Sequence, residues 1–194
     1  MSLVFVTPVY NIDLHNKYQI SKIRAEKIAR LADTDDKRVS LITELLLQYA
    51  FNKVLGIPFI DYKIDKNGKP YAKGCYFSIS HSKKLVAVVV DDKKVGLDIQ
   101  AVKKVNEKTV QWCLNEYEMN NFNDDFNYFT AIWCKKEAFC KYSGKGMKKP
   151  FKKLKTPNSR LEVIDYDGDR YFLSVYNKKQ DDIQIEVVNE IESI

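Results

Sequence analysis

Four short stretches of this sequence carry groups whose surroundings suit chemistry as well as packing. Asp98 breaks the apolar run VGLDIQ at residues 95–100. Strand alternation sends Val95, Leu97 and Ile99 to one face and Gly96, Asp98 and Gln100 to the other, so the carboxylate and the amide point the same way with open space beside them. In WCKKEAFCK, at residues 133–141, Glu137 and Lys141 are four apart and share a helix face, with Trp133 one turn earlier. Such a pair is more often an exposed helix pair than a site. His81 stands between Ser80 and Ser82, where an imidazole and two hydroxyls are available to a phosphate oxygen, and Lys69 in the turn KNGKP is a second anion contact. A carboxylate from a strand and another from a helix is a fitting pair for Mg²⁺, which takes one or two carboxylates and leaves its other positions to water and phosphate.

The elements that must hold these groups are legible as periodicities. YQISKIRAEKIARL spaces Ile20, Ile23, Ile28 and Leu31 helically and leaves Arg24, Lys27 and Arg30 on the other side. SLITELLLQYAFNKVLGIP reads as a strongly apolar helix ended by Gly56 and Pro58. CYFSIS, LVAVVV and VGLDIQ then read as a meander of three antiparallel strands. A helix is expected around EKTVQWCLNEYEMNNF, and another over DDFNYFTAIWCKKEAFCKYSGKG with Asp124 and Asp125 at its start and Gly144 beyond its end. LEVIDYD, RYFLSVY and IQIEVV close the chain as a second meander with an Asp167-Gly168 turn. The expectation is an α+β fold of two pseudo-symmetric halves, residues 1–98 and 99–194, each with helices packed on a three-stranded antiparallel sheet.

A hydrophobic content of 45% over 194 residues is enough for a sizeable core, which argues against disorder. Cys75, Cys113, Cys134 and Cys140 show no zinc-like spacing, and the N-terminus has no basic segment followed by a long apolar one. A reduced, cytoplasmic protein without a membrane span is expected. Thirty-two basic residues against 26 acidic ones leave a net charge of +6, which favours an anionic partner: nucleic acid, a phosphorylated small molecule or an acidic protein. A basic nucleic-acid module finds no recognition helix or aromatic strand motif to support it. The densest charge run, GKGMKKPFKKLK, reads as a solvated basic loop.

GKP, FSISHS, VGLDIQ, and WCKKEAFCK followed by GKG occur in the order, and with about the spacing, of the 4'-phosphopantetheinyl transferases of the surfactin-synthetase-activating type, which this chain resembles from about Ile20 to Val175. The resemblance implies a monomer that binds coenzyme A and Mg²⁺ between two halves and modifies an acyl or peptidyl carrier protein, with no nucleic-acid or membrane partner. It implies that Asp98 and Glu137 hold the metal, that Glu137 is the base for the carrier serine, and that Lys141 stands at the leaving oxygen. Ser80 and His81 would bind coenzyme A phosphates, Lys69 and Pro70 the nucleotide, Arg24, Lys27 and Ser40 the 3'-phosphate region, and Lys136 would assist at the phosphates. Glu116 takes the place of a supporting acid, and Leu114, Tyr117 and Met119 are candidates to receive the carrier. Gln100, the third candidate metal residue, stands where such proteins often have glutamate; its amide oxygen can ligate Mg²⁺ or hold a ligating water but adds no charge, so weaker or more Mn²⁺-tolerant metal binding is expected. A protein that binds coenzyme A or the carrier without catalysis is the rival reading.

Overall fold

The computed structural model describes residues 2–146, 150–179, 182–189 and 191. Lys148 and Lys149, half of the basic loop cluster with Lys152 and Lys153, lie outside them. Nine strands and five α-helices are formed in the described residues, in the order β1 Ser2–Pro8, α1 Lys22–Arg30, α2 Thr34–Leu55, β2 Lys63–Ile64, β3 Pro70–Tyr71, β4 Tyr76–Ser82, β5 Leu85–Asp91, β6 Val95–Ala101, α3 Glu107–Cys113, α4 Glu116–Asn120, α5 Phe126–Ser143, β7 Arg160–Tyr166, β8 Asp169–Asn177 and β9 Ile183–Val187. The fold is α+β, as expected.

Local chemistry accounts for the helix limits. Asp33 caps α2 through the amides of Asp35 and Asp36, and Gly56 ends it in the left-handed conformation at φ +67°. Asp125 caps α5 and Gly144 closes it in the same left-handed way. The single helix expected around residues 107–122 is two, because Asn115 and Glu118 form a reciprocal capping box that starts α4 afresh.

Strand pairing departs from two meanders. One sheet runs β4-β5-β1-β9, a second β6-β8-β7, and β2 and β3 form a two-stranded hairpin apart from both. β6 continues unbroken through residue 98 and pairs antiparallel with β8 from Val95 to Ala101, not with β5. β9 pairs in parallel with β1, a strand the sequence reading did not include. Alternation marks which face of a strand is buried, but it does not choose the neighbour. Val4, Val6, Leu85, Ala87 and Val89 of the first sheet pack against Val95, Leu97, Ile99, Tyr171, Leu173 and Val175 of the second, forming a core between the sheets. α2 covers the outer face of the first sheet, and α5 covers β6 and β8. Among the described residues no helix is long and apolar enough to cross a membrane.

Candidate active site

β4 and β6 lie side by side at the seam of the two sheets without a shared backbone ladder. Serines at every second position of β4 bridge the gap, since the strand period of two aims Ser78, Ser80 and Ser82 the same way. Ser78 Oγ accepts from the Leu97 amide at 3.0 Å, and Ser82 Oγ accepts from the Ala101 amide at 3.0 Å. Ser80 Oγ donates to Asp98 Oδ1 at 2.7 Å. The motif FSISHS therefore fixes β6 by its hydroxyls, a role that its period-two serines could have signalled.

α5 lies on β6 at Gly96, where a Cβ would stand 2.1 Å from the Ala138 carbonyl oxygen and 2.4 Å from the Tyr142 nitrogen. The Cys134 thiol, 3.2 Å from the carbonyl oxygens of both Asp98 and Phe172, anchors the middle of the helix to β6 and β8. This contact brings Lys141 Nζ to 2.7 Å from Asp98 Oδ1, 2.9 Å from Ser80 Oγ and 3.3 Å from the Ile79 carbonyl. Asp98 is 1% exposed, and its Oδ2 is buried with no hydrogen-bond partner among the described residues. Leaving a buried carboxylate oxygen unsatisfied is costly, so the atom marks a place for a cation or donor.

Glu137 stands one turn before Lys141. Burial, and next the Asp98 charge, push its carboxyl up to about 7, against the opposing pull of Lys141. Asp98 and Glu137 suit Mg²⁺, which needs few protein carboxylates, and among the described residues no group of three or more His, Cys, Asp or Glu is arranged to hold a metal by itself. Glu137 and Lys141 line a cavity of about 240 Å³ together with Lys69, Pro70 and Ile79. Lys69 Nζ donates to the Lys141 carbonyl at 2.6 Å, tying the β2–β3 hairpin to the end of α5. Burial and the Lys94 charge hold the Lys69 ammonium below its ordinary value.

The second cationic group lies around His81. Desolvation, followed by the charges of Lys27, Lys141 and Arg24, pushes its imidazole down. Desolvation and the Arg24 charge likewise lower the Lys27 ammonium. Arg24 Nη1 donates to Ser40 Oγ at 3.3 Å. Arg24 touches Ser40, and the charges of Arg24, Lys27 and Lys141 all act on His81, so four elements, α1, α2, β4 and α5, contribute to one cationic region.

Gln100 projects on the Asp98 side of β6, but its Oε1 accepts from Ser82 Oγ at 3.4 Å. It also lines a separate cavity of about 360 Å³ with Trp133 and Phe129. Lys136 departs from its expected place at the phosphates. It is 0% exposed, and its ammonium donates to Glu118 Oε2 at 2.6 Å and to the carbonyls of Cys113 and Phe151 at 2.8 and 3.2 Å. With its three protons engaged it has no donor left for a phosphate. The acid that pairs with Lys136 is Glu118, whereas Glu116 lines a separate cavity with Tyr117, Tyr128 and Lys155. Leu114 is core at 2% exposed and Met119 is half-buried, whereas Tyr117 is 77% exposed and open to a partner.

The family model for the 4'-phosphopantetheinyl transferase superfamily matches residues 94–190. The chain is 27% identical over 178 residues to the 4'-phosphopantetheinyl transferase gsp of Aneurinibacillus migulanus, covering 86% of this chain and 75% of that one. It is 30% identical over 142 residues to the ffp transferase of Bacillus subtilis and 25% identical over 148 residues to the Sfp transferase of Bacillus subtilis strain 168. Each of the latter matches covers 68% of this chain and 63% of the relative, so the chain spans less than two thirds of their length.

Proposed function

The chain belongs to the 4'-phosphopantetheinyl transferase superfamily, and on that premise we propose that it transfers 4'-phosphopantetheine from coenzyme A to a serine of an apo acyl or peptidyl carrier protein. The serine oxygen forms a bond to the β-phosphorus of coenzyme A, the bond from that phosphorus to the bridging oxygen breaks, and 3',5'-ADP leaves. The observation that carries this reading is Asp98 Oδ2, without a hydrogen-bond partner among the described residues, beside Lys141 and with Glu137 on the facing helix.

Glu137 takes the proton of the serine hydroxyl, directly or through a water. Burial and the Asp98 charge push this carboxyl up in the metal-free site, in the direction that makes it a better proton acceptor. Asp98 and Glu137 would hold Mg²⁺, or Mn²⁺ in its place, and the ion would neutralise the pyrophosphate charge. Lys141 stays fixed by Asp98 and Ser80, so its charge is in place when negative charge grows on the leaving oxygen. Lys69 and Pro70 border the nucleotide, Ser80 and His81 bind phosphate, and Arg24, Lys27 and Ser40 meet the 3'-phosphate. Gln100 is assigned to the edge of the metal site, where its amide supplies an oxygen without charge. Both carboxylates come from one chain, which suits action as a monomer; the cytoplasm is its proposed setting.

Incubation with coenzyme A, Mg²⁺ and an apo-carrier, followed by intact-mass spectrometry, tests the reading. The carrier gains one phosphopantetheine, and Asp98→Ala and Glu137→Ala lose the product while remaining folded. Wild-type turnover in either variant refutes the shared carboxylate assignment. Binding of coenzyme A without modification of any carrier points to the non-catalytic rival.

A further inference from the structure

Glu44, on the buried side of α2, is fully enclosed, and its carboxylate collects four hydrogen bonds. Oε1 accepts from the Ser21 amide and from Gln48 Nε2, both at 2.9 Å. Oε2 accepts from Tyr62 Oη at 2.8 Å and from Arg24 Nε at 3.3 Å. Ser21 is the N-cap of α1, and its Oγ accepts from the Arg24 amide. One carboxylate thereby fixes the start of α1, the guanidinium that α1 carries, and Tyr62 on the segment leading to the hairpin of Lys69. Burying a charge this deeply is tolerated only when it is neutralised and fully hydrogen-bonded, and Arg24 supplies the neutralising charge.

The bonds to Arg24 have a direction. Nε is held by Glu44 and Nη1 by Ser40, while none of the described residues accepts from Nη2. A guanidinium is a rigid planar fork, so fixing two of its nitrogens fixes the third. Lys27 follows Arg24 by one helical turn and feels its charge.

We propose that Glu44 is a positioning residue: it does not touch coenzyme A, but it holds Arg24 and the first turn of α1 so that the guanidinium presents its remaining edge to the 3'-phosphate. This rests on the functional reading above, in which Arg24 meets that phosphate. Removing the carboxylate lets the guanidinium adopt other rotamers and loosens the cap of α1, so binding of the 3'-phosphate weakens while the reacting groups at Asp98, Glu137 and Lys141 stay in place.

The test is steady-state kinetics of Glu44→Gln with coenzyme A and with 3'-dephospho-coenzyme A, which lacks the group in question. The KM for coenzyme A should rise about tenfold, while kcat and the KM for the dephospho form stay within about twofold. Glu44→Asp keeps the charge and shortens its reach; it should rise by an intermediate factor and serves if the glutamine variant does not fold. Arg24→Ala is measured in parallel and should also raise the coenzyme A KM selectively. If Arg24→Ala leaves the ratio of the two KM values unchanged, the placement of Arg24 is wrong and the proposal falls with it. If Arg24→Ala shifts the ratio and the Glu44 variants do not, Arg24 keeps its role and only the positioning by Glu44 is refuted. An equal rise for both substrates, or a fall in kcat alone, likewise refutes it, because a purely structural role does not distinguish the two.

Discussion

Gly96→Ala perturbs the site without changing any residue assigned to it. The added methyl would stand 2.1 Å from the Ala138 carbonyl oxygen and 2.4 Å from the Tyr142 nitrogen, both backbone atoms that cannot rotate away. Ordinary contact needs about 3.5 Å, so α5 and β6 must separate by roughly 1 Å. Overpacking of this kind costs about 1–3 kcal/mol, and for a chain of this size that is a fall in Tm of roughly 2–12 °C. The catalytic cost should be the larger one. The displaced helix carries Glu137 and Lys141, and the 2.7 Å contact from Lys141 to Asp98 lies directly across the gap that opens. A misplacement of about 1 Å can lower turnover by about a hundredfold. Thermal melting and single-turnover mass spectrometry with an apo-carrier measure the two effects on the same preparation. A folded Gly96→Ala variant with wild-type turnover would refute the claim that close approach of α5 to β6 assembles the site.

Glu137 predicts a pH dependence in the metal-free protein. Its carboxyl titrates near 7 in the fold against an ordinary 4.5, so the folded state holds the extra proton between those values. Its contribution to stability is fully present below about pH 4.5 and is lost as pH rises through about 7; urea melts should show this loss in wild type and not in Glu137→Gln. Lys136→Met should cost about 3–5 kcal/mol because it strands the Glu118 carboxylate; the folded fraction should keep its KM for coenzyme A, and a selective rise in that KM would return Lys136 to the phosphates. Gln100→Glu adds negative charge on the Asp98 face of β6 and should lower the Mg²⁺ concentration for half-maximal activity. An unchanged requirement would place Gln100 outside the metal site.

The sequence alone determined the types and limits of most elements, because periodicity, caps and turn residues act over a few neighbours. Gly144 ended its helix where expected, and Asp98 faced away from Leu97 and Ile99 as alternation requires. The ordered motifs were also enough to suggest the family. Partnership across the chain was decided only by tertiary structure. Nothing local distinguishes β5 from β8 as the neighbour of β6, or a β7–β8 companion from a partner of β1 for β9. The same limit explains the site. Lys136 and Lys141 are both lysines on α5, five positions apart, and the helix turn separates them: Lys136 faces Glu118 and the carbonyls of Cys113 and Phe151, and Lys141 faces Asp98 and Ser80. A buried ion pair and one at the candidate site thus look alike in sequence. They differ in which packed surface each side chain meets, and that is fixed only when α5 settles onto Gly96.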